Sequence, residues 1–170
     1  MTSYRAVREL RAHGHHEASR AIGERALLYH ERRPAQIALT SRYRAYLSGI
    51  LGNLERWDDA QLIAEELASE DQANLDYLGI LGTLAAGRGE RDEALRISEE
   101  LAGLDRPYLR GDNTYWRAGI AALLDEKEQA VSLLRQAHEE GQALSRIHGD
   151  TDFEPLRGYP PFEELMRPKG

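Results

Sequence analysis

The chain contains no cysteine. Disulfides, thiolate nucleophiles and cysteine-based zinc or iron–sulfur sites are removed in one step. The absence also fits a reducing compartment. Proline is scarce: of six, only Pro34 and Pro107 precede Tyr108. No stretch approaches the ~18 apolar residues of a transmembrane helix. The opening MTSYRAVRELRAHGHH is charged throughout and lacks the apolar segment of a signal peptide. A cytoplasmic protein, or the cytoplasmic piece of a larger one, is expected. Positive charge is in deficit, with 22 Lys and Arg against 29 Asp and Glu and a net charge of -7. That balance argues against a general nucleic-acid binder, which needs excess cation to neutralise phosphates. It argues equally against docking on an anionic membrane.

The 170 residues fit one domain of ordinary size. Ala, Leu, Glu and Arg dominate, all good helix formers. Everything to about His148 reads as helices joined by short turns, so the expected class is all-α. An internal repeat organises them. WDDAQLIAEELAS (Trp57 to Ser69) aligns with RDEALRISEELAG (Arg91 to Gly103) at an offset of 34 residues. Ala60 falls on Ala94, Ile63 on Ile97 and Leu67 on Leu101; upstream, Tyr43 falls on Tyr77 and Leu47 on Leu81. HEAS puts Ala18 in the same role 42 residues before Ala60, and EQAV puts Ala130 there 36 residues after Ala94. Twelve residues before these alanines stand Ala6, Ser48, Gly82 and Ala118, all small. Small residues at both places let paired helices approach closely.

The expected hairpins are Tyr4 to His13 with His16 to Arg32, and Ala35 to Asn53 with Trp57 to Ser69. Next come Asn74 to Ala86 with Glu90 to Ala102, and Asn113 to Leu124 with Lys127 to Glu140. About two extra turns on the helix from Ala35 absorb the longer first spacing. Each helix carries an apolar stripe, such as Leu62, Ile63 and Leu67, that only stacking can bury.

This pattern resembles the tetratricopeptide repeat, whose unit is 34 residues with small residues near positions 8 and 20. Ala6/Ala18, Ser48/Ala60, Gly82/Ala94 and Ala118/Ala130 match those slots. The family's Trp at position 4 is replaced by Arg44, Leu78 and Thr114, so the resemblance is to a degenerate member. It implies an α-solenoid of about four helix-turn-helix units, near 3–34, 35–73, 74–110 and 111–142, within an array over 1–149. It also implies a concave groove lined by the first helix of each unit. Tyr4, Tyr46, Ile80 and Trp116 then stand at position 6, Arg42 and Asp76 at position 2, Tyr115 at position 5 and Asn53 at position 13. Gly49 and Gly119, at position 9, leave room beside the rings. Such a groove suits an extended or helical peptide with apolar side chains. The alternative use of Tyr46 and Trp116 is packing between adjacent helices.

The last twenty residues, TDFEPLRGYPPFEELMRPKG, hold both Phe and four of the six Pro. The last helix of a solenoid has no following repeat to cover it and needs a cap. Phe153, Leu156, Tyr159, Phe162 and Leu165 supply the apolar side chains, over a tail spanning 150–170. Pro160-Pro161 suits a helix start, with Phe162, Leu165 and Met166 at helical spacing. The string DTDFEPLRGYPPFEELM also resembles the ending of bacterial proteins that carry tetratricopeptide repeats behind a serine/threonine kinase or a TolB-like or winged-helix regulator. That resemblance implies the C-terminal repeat part of such a protein, or a free-standing relative. It does not imply kinase activity, because there is no Gly-rich phosphate loop, HRD or DFG.

Catalytic candidates are weak. His13, His15 and His16 flank Gly14 at a predicted turn, but a metal site needs three or four converging ligands and only Glu17 is near. The acidic pairs Asp58-Asp59, Glu65-Glu66, Glu99-Glu100 and Glu139-Glu140 recur on amphipathic helices and read as solvated faces. The expectation is a non-catalytic interaction module without cofactor or metal, for a protein or peptide partner. Self-association through an uncapped helix at Tyr4 to Leu10 is the second expectation, and an enzyme with an unrecognised site the third.

Overall fold

The computed structural model describes residues 2–34, 37 and 40–167, which are helical with no strand among them. The elements are α1 (Thr2–Ala12), α2 (His16–Glu31), α3 (Ser41–Asn53), α4 (Trp57–Glu70), α5 (Leu75–Gly87), α6 (Arg91–Ala102), α7 (Asp112–Leu123), α8 (Lys127–Glu139), α9 (Ser145–His148), a 3-10 helix (Thr151–Leu156) and α10 (Pro160–Met166). The chain divides into two compact units, Met1–Tyr77 and Leu78–Gly170. The boundary between them falls inside α5.

One turn closes all four hairpins. The helices α1, α3, α5 and α7 each end on a residue in the left-handed region: Gly14 (φ 79°), Glu55 (φ 60°), Gly89 (φ 78°) and Asp125 (φ 61°). The amide of that residue donates three residues back, to Arg11, Gly52, Ala86 and Ala122 carbonyls. The next amide donates five back, from His15 to Leu10, Arg56 to Leu51, Glu90 to Ala85 and Glu126 to Ala121, at 2.8–3.0 Å. This paired closure of orphan carbonyls is a Schellman motif. The second helix starts at once: His15, Arg56, Glu90 and Glu126 share φ between -78° and -87° and ψ between 56° and 66°. Their carbonyls accept from Ser19, Ala60, Ala94 and Ala130.

That shared frame corrects the register of the first hairpin. Its small slots are Val7 and Ser19, both buried, whereas Ala6 is half-buried and Ala18 exposed. The true spacing to Ala60 is therefore 41 residues, not 42. The misreading has a plain cause. Alanine is the expected small residue, but Ser19 fits because its hydroxyl donates to the Val7 carbonyl at 2.8 Å. Ser48 does the same from the opposite helix, donating to the Ala60 carbonyl at 2.9 Å. A buried hydroxyl without a partner would cost free energy, and here the facing backbone supplies one.

The helix expected from Ala35, whose extra turns were to absorb the longer first spacing, does not run unbroken into α3. Residues 35, 36, 38 and 39 of the helix expected from Ala35 lie outside the described residues. Thr40 is extended (φ -69°, ψ 135°), and α3 begins at Ser41. α5 begins behind Asn74, whose Oδ1 accepts the Asp76 amide at 3.1 Å, an N-cap contact.

The first unit buries Val7, Ala12, Ile50, Leu51, Leu54, Ala60, Ala64 and Leu67. Its two hairpins are stacked, with the Leu54 side chain against Gly23 and the Tyr4 ring against Gly49. In the second unit, Ile97 and Ile120 close on Gly82, and α7, α8, α9, the 3-10 helix and α10 share one apolar core.

Left-handed Glu55 and Asp125 carry a side-chain penalty that Gly14 and Gly89 avoid. Glu55→Gly and Asp125→Gly should each raise stability by about 0.5–1 kcal/mol, relief of strain exceeding the added unfolded-state entropy. Urea unfolding of the single variants checks this. Ser48→Ala, which removes a buried donor, should lower it by about 1 kcal/mol.

Candidate partner-binding face

The residues proposed for a groove separate into exposed and packed groups. In the first unit, Arg42 is exposed and its Nε donates to the Tyr46 hydroxyl at 3.1 Å. Tyr46 is half-buried, its ring 5.5 Å from that of Tyr4. Asn53 is half-buried and turned inward. Its Nδ2 donates to the Gly49 carbonyl at 2.8 Å, and its backbone carbonyl accepts from Arg11 Nη1 at 2.7 Å. Asp76 is exposed at the first turn of α5.

The corrected register moves Tyr4. With Val7 at position 8, Tyr4 takes position 5, the register place that Tyr115 holds in its own hairpin, and Arg5 takes position 6. The aromatic ladder therefore loses its first rung. The room foreseen beside Gly49 is already filled by the Tyr4 ring.

In the second unit, Ile80 and Trp116 are half-buried. Trp116 lies directly on Gly79, where any Cβ would run into its ring. This repeats the first unit, where a position-6 ring sits on position 5 of the preceding hairpin. Both aromatics thus pack between adjacent hairpins while keeping part of their surface in solvent. Gly119 faces Thr83 and Asp152, so the tail occupies its space.

Tyr115 is not on an open face at all. It is 2% exposed, its hydroxyl donates to Asp150 Oδ2 at 2.6 Å, and its ring meets Phe153 edge-on at 5.3 Å. The Arg146 guanidinium covers the ring at 4.1 Å and is itself held by Asp112 at 2.7 Å. Asp150 also accepts the Asp152 amide, capping the 3-10 helix. One buried carboxylate thereby starts the tail and ties it to α7. These partners lie 34 and 35 residues apart. No local pattern signals such contacts.

In the tail, Phe153, Leu156 and Phe162 are buried, and Tyr159, Leu165 and Met166 pack at the edge of the same core. The Tyr159 hydroxyl donates to Glu128 on α8 at 2.8 Å. That bond holds the Glu128 carboxyl below its usual range and the Tyr159 phenol above its own.

Two of the position-4 residues, read as departures from the family, turn out to be paired. Arg44 reaches Glu66 at 3.0 Å and Glu70 at 2.7 Å on the facing helix. Thr114 donates to Glu140 at 2.6 Å, and the Arg44–Glu70 and Thr114–Glu140 pairs both span 26 residues. In the intervening hairpin the two places are Leu78 and Leu104. The signal was available as matched polar or matched apolar residues at that interval.

Metal and catalytic constellations can be located plainly. Among the described residues no group of three His, Asp or Glu converges to hold a metal ion. His13 sits 3.6 Å from Glu9 on an exposed turn. No helix of the described residues is long and apolar enough to cross a membrane. The histidine that stands out is His30, isolated in the sequence. It stacks on Tyr43 at 5.1 Å, and its Nδ1 is buried without a partner. Burial lowers its pKa from the ordinary 6.5, with Glu31 opposing the shift.

These contacts predict two outcomes. Tyr115→Phe leaves Asp150 short of one donor and should cost about 1–3 kcal/mol in urea unfolding. Burial disfavours the charged form of His30, so its folded pKa lies below its unfolded value. Its contribution is complete above 6.5 and is lost as pH falls from there through the folded pKa. The melting temperature should fall on acidification from pH 7 to 5, and less steeply in His30→Phe, which keeps the stacked ring. No protein-family model, curated protein or solved structure matches the chain.

Proposed function

We propose that the chain is a tetratricopeptide-like interaction module, an α-solenoid that binds a protein or peptide segment without catalysis. The observation that carries this reading is the fourfold recurrence of one hairpin. Each has the same Schellman turn, the same φ and ψ before the second helix, and closely packed residues twelve apart. Arrays of such hairpins present the first helices of successive units as a binding groove. Within the first unit the accessible residues at these positions are Arg42, part of Tyr46 and Asp76; the second unit, taken by itself, exposes parts of Ile80 and Trp116. Half-exposed aromatics beside polar residues suit a peptide that inserts apolar side chains and pairs its charges at the rim. The ending from Asp150 to Met166 supports placement in bacterial signalling or regulation, behind a kinase or regulatory module in the native polypeptide.

The test uses exposed positions, because Tyr46 and Trp116 also hold hairpins together. Arg42→Glu/Asp76→Lys and the native chain serve as baits in a cell lysate, with helicity and melting compared. A folded variant that loses a partner kept by the native chain is the expected result. Identical partners on both baits would remove the groove from consideration.

A further inference from the structure

The corrected register changes what the first helix offers to a partner. With Val7 at position 8, positions 6, 9 and 12 of α1 are Arg5, Arg8 and Arg11, where the uncorrected register puts Tyr4, Val7 and Leu10. Arg5 is exposed and Arg8 half-buried. Arg11 is held by the Asn53 backbone carbonyl and lies 3.8 Å from Glu55.

A cavity of about 60 Å³ lies where the start of α1 meets the end of α2 and the start of α3. Its walls include Tyr4, Tyr29, His30, Tyr43 and Tyr46. Three of these four tyrosines have a guanidinium over the ring. Arg8 stands 5.4 Å from the Tyr4 ring, Arg33 4.4 Å from that of Tyr29 and Arg42 5.9 Å from that of Tyr46. A guanidinium over a ring keeps its in-plane N–H groups for a carboxylate. Two nitrogens at this place, His30 Nδ1 and Arg33 Nε, are buried without a partner. Such groups cost free energy until a ligand or water pairs them.

Among the described residues no carboxylate lines the cavity. Glu31, next to His30, lines a cleft between α2 and α4 instead. Glu9 lies 3.6 Å from His13, and Arg44 holds Glu66 and Glu70. A chain of net charge -7 thus gathers arginines around one aromatic cavity.

We propose that this part of the first unit binds an acidic peptide segment. One short branched side chain enters the tyrosine-walled cavity, and carboxylates on either side face Arg5, Arg8, Arg33 and Arg42. This partner chemistry rests on the reading of the chain as an interaction module. The volume sets the side chain: an apolar cavity of roughly 150 Å³ admits a benzene ring, so this smaller one takes a valine or a threonine. A threonine hydroxyl supplies the partner that His30 Nδ1 lacks, and a carboxylate on Arg33 Nε makes a charge-assisted bond.

Panning a library of random ten-residue peptides on the full chain tests it. The enriched peptides should be rich in Asp and Glu around a Val or Thr. The tightest of them, followed by fluorescence anisotropy, should bind less tightly as salt rises. Arg5→Glu/Arg33→Glu should weaken it by at least about tenfold. Ala26→Leu, which fills the cavity, should erase the preference for Val or Thr over Gly while keeping that for acidic neighbours. Melting temperatures accompany each variant. Where the double variant melts early, Arg5→Glu alone, at an exposed position, should still weaken binding. A library that enriches basic or uncharged peptides, or none, overturns the proposal, as does an acidic peptide indifferent to Arg5 and Arg33. A lysate partner that depends on Arg42 and Asp76, found together with any of those results, leaves the interaction module standing and removes only the acidic peptide.

Discussion

Each hairpin depends on one backbone reversal. A helix that ends must satisfy its last carbonyls, and the chain must turn within two or three residues if its partner is to lie alongside. A single left-handed residue does both. Glycine meets the requirement at Gly14 and Gly89, and Glu55 and Asp125 meet it at a steric cost. The second helix then starts in a fixed direction, which brings residues twelve apart into contact across the hairpin. Only compact side chains, or ones with a hydrogen bond to give, are accommodated there. Val7/Ser19, Ser48/Ala60, Gly82/Ala94 and Ala118/Ala130 are four solutions to that constraint.

Packing beyond the single hairpin is governed by exposed ends. In the first unit, the Tyr4 ring lies on Gly49 and Leu54 on Gly23, so large side chains of one hairpin fill the surface of the next. In the second unit, Trp116 fills Gly79 in the same way, and the tail treats α7 as another hairpin would. Phe153 meets Tyr115, and Asp152 occupies the space beside Gly119. A Pro-rich segment suits this task because its short elements need few residues and leave few backbone donors unsatisfied. Asp150 makes the joint specific, accepting from Tyr115 and capping the 3-10 helix together.

This packing narrows the surface that the helix faces have left for a partner. An aromatic that seals a joint between hairpins offers only its outer edge. The polar Arg42 beside Tyr46 stays exposed. So do Leu28 and Leu62, on the outer face of α2 and α4.

The helices and their turns were legible in the sequence because they rest on short-range requirements. Composition, small residues twelve apart and the 34-residue repeat locate all eight long helices to within a residue or two, apart from the start of α3. The single slip of register, Ala6/Ala18 for Val7/Ser19, arose where a hydroxyl substitutes for a small apolar group through a hydrogen bond that sequence does not display. The tail's apolar residues were likewise visible as a cluster. Which aromatics are buried was not, because that depends on partners distant in the chain: Tyr115 on Asp150 and Phe153, Trp116 on Gly79, Tyr4 on Gly49. The sequence by itself determined the hairpins, since a helix and its turn are set by neighbours within a few residues. Tertiary structure alone decided which faces remain exposed, since exposure is settled by whatever chain packs over them.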